Sequence, residues 1–414
     1  MDGSVDSQRH LHVWDYVVFA ISIAVSLGIG IFYAFMNRWK NNIEEYLMGG
    51  RSMGFLPTAV SLVVSFQSAV TMLGIPAECY YNGFQYLWFA VGLALSMMLV
   101  VNVGVSMFCS LRITSAYEYL ELRFQSKSVR LLASFMGILQ NVFWMGVVMY
   151  APAVALEAVS GYPVWNSNVV TTIAAIIYTS LGGLKAVIWT DVFQSIVMLA
   201  LMLAVLIQGT VEVGGAKQIW DIAEAADPTV RHTFWSLILG SFFVGIGFTY
   251  NNSTFQRIAC TKNRKEAKRM LYLSSPVFFF GTVVSLYCGI TAFSYFQTKQ
   301  CDPLKSGQIT NPNQVAALFS ASLSTLSSGL ASVGSMVWTD FIQPHVGEMS
   351  QSKSTLVIKV IVVLFGCLTC GVSFLVAAIG GTLIQIALSM IFAFSAPQCG
   401  MFMLGCFFPR CNAK

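Results

Sequence analysis

Ala321, Ser324 and Thr325 stand at i, i+3 and i+4 within VAALFSASLSTLSSGLASVGSMVW, the run from Val315 to Trp338. On a helix those three positions share one face. The run is long and apolar enough to cross a bilayer, yet it carries Ser320, Ser322, Ser324, Thr325, Ser327 and Ser328. Hydroxyls in lipid must find partners on a neighbouring helix or on a ligand. Two chemistries fit. Small hydroxyl residues let helices approach closely and bond across the gap. A hydroxyl pair beside a free carbonyl also supplies the neutral oxygens that a hard cation such as sodium takes. On this stretch alone the packing reading is the simpler one.

The rest of the chain sets the medium. Of 414 residues, 56% are hydrophobic and 10% are charged, and the mean hydropathy is +0.70. A soluble domain carries about 25% charged residues. This is the composition of an all-α polytopic membrane protein. Its net charge of +5 therefore reads as loop topology, not as a nucleic-acid surface. The opening residues MDGSVDSQRHLH lack a basic segment ahead of a short apolar one, so no cleaved signal peptide is expected.

A span needs about 20 apolar residues, and about eleven spans can be drawn. The first covers 13–35, the second 56–77, the seventh 234–256, the ninth 315–338 and the last 381–408. With the N-terminus outside, most Lys and Arg fall on the inner side, including Lys40, Arg51, Lys185, Arg257 and the run from Lys262 to Arg269. The positive-inside rule then puts the C-terminus in the cytoplasm. Cys79 and Cys301 fall in outer loops, where a pairing is open but cannot be deduced. The four histidines are scattered over loops and no hydrolase, zinc-protease or nucleotide-binding pattern is present, so an enzyme is not expected.

Two spans look interrupted. Ser65, Gln67, Ser68 and Thr71 break the second, and Gly245 and Gly247 precede FTYNNSTFQR in the seventh. Broken helices free backbone groups, which is tolerable only beside a cavity or a ligand. The two lie five spans apart, as expected if 56–210 and 234–408 are inverted repeats preceded by an extra helix at 13–35, all within one transporter domain.

These residues resemble the sodium/solute symporters of the sodium–glucose cotransporter type. GGLKAVIWTDVFQ (Gly182 to Gln194) resembles the family signature on the inner loop between the fifth and sixth spans. WDYVVFAISI (Trp14 to Ile23), EEYLMGGRSMG (Glu44 to Gly54), MYAPAVALEAVSG (Met149 to Gly161) and SASLSTLSSGL (Ser320 to Leu330) fit as well. The stretch SFQSAVTMLGIPAECYYNG (Ser65 to Gly83) is most similar to the branch that moves multivitamins, monocarboxylates and iodide, and the wording as a whole to invertebrate transporter-like proteins of that branch.

The resemblance implies a LeuT-type five-plus-five inverted repeat. It implies a sodium site built from the carbonyls of Val64 and Gln67 together with the Ala321 carbonyl and the Ser324 and Thr325 hydroxyls, which tips the balance from packing to sodium. A second sodium site, on hydroxyls such as Ser68 and Ser328, is known in some relatives. Candidates for the substrate pocket are Phe66, Gln67, Ser68 and Thr71, then Tyr250 and Asn251, and Gln385 on the last span. Interhelical hydrogen bonding is the plain alternative for each polar one. No Arg or Lys stands in the pocket-forming parts of the second, seventh and ninth spans, so a carboxylate substrate would be met by sodium, amides or a half-helix N-terminus. Asp191 is expected to act at a gate or to order the inner loop, and Glu157 to be solvated.

The resemblance thus implies a plasma-membrane carrier with sodium as coupling ion, no cofactor, and the lipid bilayer and a small anionic or vitamin-like solute as partners. Two departures from the family stand against it. NPNQ (Asn311 to Gln314) runs straight into the ninth span, where relatives carry an outer hairpin. The chain also stops at GCFFPRCNAK, where relatives continue. They leave room for a truncated, non-transporting isoform that binds the ion or modulates a full-length carrier.

Overall fold

The computed structural model describes residues 13–37, 42–111, 113–160, 163–225, 233–300, 319–347, 349–378, 383–408 and 410–412. Cys301 and the segment NPNQ lie outside them. Cys79 is a buried free thiol.

The described residues are almost wholly helical. In chain order the elements are α1 (Val13–Asn37), α2 (Ile43–Met48), α3 (Phe55–Phe66), α4 (Ala69–Asn82), α5 (Leu87–Leu111), α6 (Glu118–Phe124), α7 (Lys127–Ser160) and α8 (Val164–Val213). Then come α9 (Ala216–Ala225), α10 (Phe234–Tyr250), α11 (Asn252–Ala259), α12 (Arg264–Thr298), α13 (Phe319–Met336), α14 (Gln351–Ala377) and α15 (Leu383–Phe407). Among the described residues, five helices are long and apolar enough to cross a membrane alone, and seven spans qualify when each bent pair counts as one.

The polarity of the molecule is inverted, as a bilayer requires. Phe35, Ile196, Val211, Leu364 and Leu375 are exposed, while Ser324, Ser327, Ser328, Ser332 and Ser335 are buried. Apolar side chains that gain nothing from an oily interior can face lipid, and hydroxyls must turn inward to find partners. Close packing follows from small residues. A Cβ at Gly245 on α10 would come within 1.7 Å of the Ser96 hydroxyl on α5, so the α10 backbone packs directly against the Ser96 side chain.

Both expected interruptions are present. The second span breaks at Gln67 and Ser68, and its two halves are bent by 55°. The seventh breaks at Asn251, with a bend of 57°. There the reason is local: the Asn251 side chain accepts from the Ser253 N–H at 2.8 Å and caps α11, so the chain restarts as a new helix. The breaks meet across the core, where the Phe66 and Phe248 rings lie 4.8 Å apart.

The signature Gly182 to Gln194 forms no loop. It runs inside α8, whose 50 residues at 1.5 Å each would reach about 75 Å, far more than one bilayer crossing. Gly183 supplies the bend, with φ 65° and ψ −166°, a backbone region essentially confined to glycine. Below this bend lies α2. The Tyr46 hydroxyl donates to the Thr179 and Ser180 carbonyls, and Lys185 pairs with Glu45. A backbone bridge between Met53 and Thr261 then ties this segment to the second half of the molecule.

Candidate functional site: a buried ion pair beside a lined cavity

The three residues at i, i+3 and i+4 on α13 are buried and face α3 and α8. The Thr325 hydroxyl donates to the Ala321 carbonyl and to the Ser65 carbonyl, each at 3.2 Å. The Ser324 hydroxyl donates to Asp191 Oδ1 at 2.6 Å. Val64 and Gln67 fall at the end of α3, where the helical hydrogen-bond ladder lapses. Their carbonyls thus belong to the same break that presents the Ser65 carbonyl to Thr325. The Gln67 side chain turns away and donates to the Phe278 carbonyl on α12 at 3.3 Å.

Asp191 stands at the centre of this arrangement. It is fully buried and pairs with Arg257, also fully buried, at 3.0 Å. The two charges are wrapped in hydroxyls. Ser61 donates to Asp191 Oδ2 at 2.5 Å and accepts from Arg257 Nε at 2.9 Å. Arg257 reaches the Ser65 and Ser328 hydroxyls through Nη2 and the Ser253 hydroxyl and carbonyl through Nη1. A charge out of water is costly unless it is paired and its remaining hydrogen-bonding positions are filled. Here one carboxylate and one guanidinium share a shell drawn from α3, α8, α11 and α13.

Next to this cluster a cavity opens with an empty volume of about 440 Å³, its mouth included. Ser65, Thr325, Ser328 and Ser253 line it, so the cluster and the cavity share a wall. The other walls are the amides of Gln140, Asn141 and Asn251 and the faces of Phe66, Trp144 and Phe248. The lining includes no charged side chain.

Of the pocket residues expected from sequence, Phe66 and Asn251 line this cavity. The others lie elsewhere. Thr71 turns its hydroxyl back onto the break, donating to the Ser68 carbonyl at 2.8 Å. Tyr250 stacks on Phe402 at 4.6 Å with its hydroxyl near Cys406. Gln385 is exposed on α15. Ser68 is fully buried at the start of α4, and its hydroxyl has no hydrogen-bond partner among the described residues. Glu157 is exposed.

Three residues of this wall are not apparent from the sequence reading. Gln140 and Asn141 form an adjacent amide pair inside the apolar run ILQNVFW, and Trp144 follows one turn on. Two amides in the middle of a span are a usable signal, because each must find partners there. Arg257 reads in sequence as an inner loop charge, whereas it is buried against Asp191.

The family model of the sodium:solute symporters matches residues 46–414. The chain belongs to the sodium:solute symporter family. Among curated proteins it is similar to the sodium-coupled monocarboxylate transporter 2 of Bos taurus, with 38% identity over 98% of this chain and 70% of that one. It is equally similar to the sodium-dependent multivitamin transporter of Oryctolagus cuniculus, with 38% identity over 96% of this chain and 67% of that one. Among solved structures it matches a Na⁺-coupled sialic acid symporter in a substrate-bound outward-open state. The TM-score is 0.85 and the identity 25%, over 96% of this chain and 88% of that one. The fold of this symporter family chain is of the LeuT type, with two broken helices among its described residues.

Proposed function

We propose that this chain couples the movement of a small organic anion or vitamin-like solute to sodium, across the plasma membrane, by alternating access. The N-terminus is outside and the C-terminus cytoplasmic, with 13–35 as the extra helix and 56–210 and 234–408 as the repeats. The observation that supports it best is the shared wall. Thr325, Ser65 and Ser328 belong to the ion cluster and to the cavity at once, so occupancy of one reshapes the other. Coupling between two ligands needs just such a difference in contact free energy.

In this reading sodium lies among the Val64, Gln67 and Ala321 carbonyls and the Ser324 and Thr325 hydroxyls. Neutral oxygens hold a monovalent ion weakly, which suits a carrier that must release it. Asp191 lies one hydroxyl away and contributes negative charge through Ser324. Arg257 keeps that carboxylate compensated once sodium has left, so the empty site does not strand a buried anion.

The solute occupies the cavity beside Phe66 and Asn251. Donor amides from Gln140 and Asn141 orient its polar end, and Trp144 and Phe248 cover its apolar body. Ser68 is a further candidate, because a buried hydroxyl without a partner among the described residues, at the start of a half-helix, suits an anion. Tyr250, Thr71 and Gln385 lie outside its lining and take no direct part in this reading. The relatives are named for monocarboxylates and for multivitamins, and a cavity lined by amides without a fixed cation accepts a carboxylate that enters with sodium. The family relationship favours this carrier reading over a non-transporting one.

The test is radiotracer uptake by cells expressing the 414-residue chain, in sodium and in choline medium, with surface biotinylation alongside. The panel is lactate, nicotinate, biotin, pantothenate and iodide. Sodium-dependent uptake of a panel member is expected. A chain that reaches the surface and moves none of them in sodium would overturn the reading.

A further inference from the structure

Below the ion cluster lies a second, smaller cavity. Tyr46 and Leu47 of α2 close it on one side; Thr179 of α8 and Gln256 of α11 supply its polar wall, Gly183 and Ala331 its small residues, and Leu184, Ile358 and Val362 an apolar wall. Its empty volume, its opening to solvent included, is about 230 Å³. Two of its oxygens are orphans: Thr179 Oγ1 and Gln256 Oε1 are buried and have no hydrogen-bond partner among the described residues. The Gln256 amide nitrogen makes only two long bonds, to the Leu47 and Ala331 carbonyls at 3.4 Å each. A buried polar group without a partner is costly, so a pair of them in one cavity marks a missing occupant.

The chemistry of the wall selects that occupant. Its donors are largely spoken for: the Gln256 amide nitrogen is turned to the Leu47 and Ala331 carbonyls, and the Tyr46 hydroxyl is engaged by the Thr179 and Ser180 carbonyls at 3.3 and 3.1 Å. What is left unmet is the Gln256 carboxamide oxygen, an acceptor, and the Thr179 hydroxyl, which can accept or donate. Two unmet neutral oxygens with no fixed charge in the lining suit a small monovalent cation. Its position suits one in transit. Ala331 lies seven residues beyond Ser324 on α13, or two turns down nearly the same face, about 10 Å away. Gln256 is the immediate neighbour of Arg257.

We propose that this cavity is a transit site for sodium between the Ser324–Thr325 face and the inner solution, with Tyr46 and Leu47 as its inner door. The proposal rests on the sodium-coupled reading above. An ion leaving Ser324 would be taken up by Thr179 Oγ1 and Gln256 Oε1, and it would leave when α2 swings away from the Gly183 bend.

The experiment compares solute uptake into right-side-out and inside-out vesicles of cells expressing the full chain, as a function of sodium on the outer and inner face respectively. Gln256→Leu and Thr179→Val remove an oxygen each. Either is expected to raise the inner-face sodium concentration for half-maximal transport about tenfold. Gln256→Glu adds a charge in the same shape and is expected to lower it by about the same factor. Outer-face half-saturation should stay within about twofold for all three, since the outer route does not pass this cavity. Opposite shifts from Leu and Glu at one position are not produced by a role in packing alone. If both substitutions shift the inner-face value in the same direction, or leave it unchanged while the wild-type chain couples, this site is overturned and the cavity holds a water. A wild-type chain without sodium-dependent transport would overturn the symport reading and the transit site together.

Discussion

Ser324 on α13 donates its hydroxyl to Asp191 on α8 at 2.6 Å, across the interface where the two halves of the chain meet. The hydroxyl expected to hold sodium is thereby tied to a carboxylate, and the carboxylate to Arg257 at 3.0 Å. Sodium binding at Ser324 would pull on the same oxygen that orders Asp191. In the proposed reading the charge cluster would pass ion occupancy on to α3 and α11, whose Ser65, Phe66 and Ser253 line the cavity.

The first prediction concerns that hydroxyl face. Ser324→Ala removes one proposed ligand, and Thr325→Ala removes another and frees the Ser65 carbonyl. Each is expected to raise the sodium concentration for half-maximal uptake about tenfold, the equivalent of about 1.4 kcal/mol. The double variant should lose sodium-dependent uptake while still reaching the surface. An unchanged sodium dependence, read by tracer uptake at fixed solute, would return these hydroxyls to helix packing.

Asp191 and Arg257 call for a different experiment, because removing either leaves the other buried and alone. Breaking such a pair costs roughly 3–5 kcal/mol. Asp191→Asn and Arg257→Met should each lower the melting temperature of detergent-solubilised protein and reduce surface expression. Arg257→Lys should not rescue, since one ammonium cannot reach Ser61, Ser65, Ser253 and Ser328 together. The double neutral variant should recover stability without recovering sodium coupling. If each single variant is as stable as the parent, the two charges do not form one buried unit.

The cavity wall on α7 predicts a split in kinetic constants. Gln140→Leu and Asn141→Leu should raise the solute concentration for half-maximal uptake by roughly tenfold, as expected when a buried donor to an ionised group is lost. Sodium half-saturation should move less. Gln385→Leu, exposed and outside the cavity, should change neither. Equal effects from Gln385 and Gln140 would place the solute elsewhere.

How far the sequence carries these assignments depends on how local each signal is. The i, i+3, i+4 hydroxyl face of α13 and the polar interruption around Gln67 are legible, because helical period and helix breaking are properties of short stretches. The partnership of Asp191 with Arg257 is not. The residues are 66 apart, and a positive charge just past an apolar run reads as a loop charge whether it faces cytoplasm or core. Tyr250 fails for a related reason: position on a broken span does not say which way a ring turns, and this one stacks on Phe402. The glycine pair Gly182 and Gly183 stands in the signature, but only the backbone shows that the helix breaks at Gly183 and restarts at once.

That bend supports the last prediction. Gly183 has φ 65° and ψ −166°, and a Cβ there would lie 2.9 Å from the Tyr46 carbonyl oxygen and 2.9 Å from its ring. Gly183→Ala therefore combines a forbidden backbone region, at about 1–3 kcal/mol, with displacement of α2. Both effects act on one contact, the Tyr46 hydroxyl on the Thr179 and Ser180 carbonyls. The variant should be less stable, and α2 should seal the bend less well. A cysteine at Leu47, in a background without other reactive thiols, should then react faster with a charged thiol reagent applied to inside-out vesicles than it does with Gly183 intact. Equal labelling rates with and without the substitution would show that α2 does not depend on the bend for its seat.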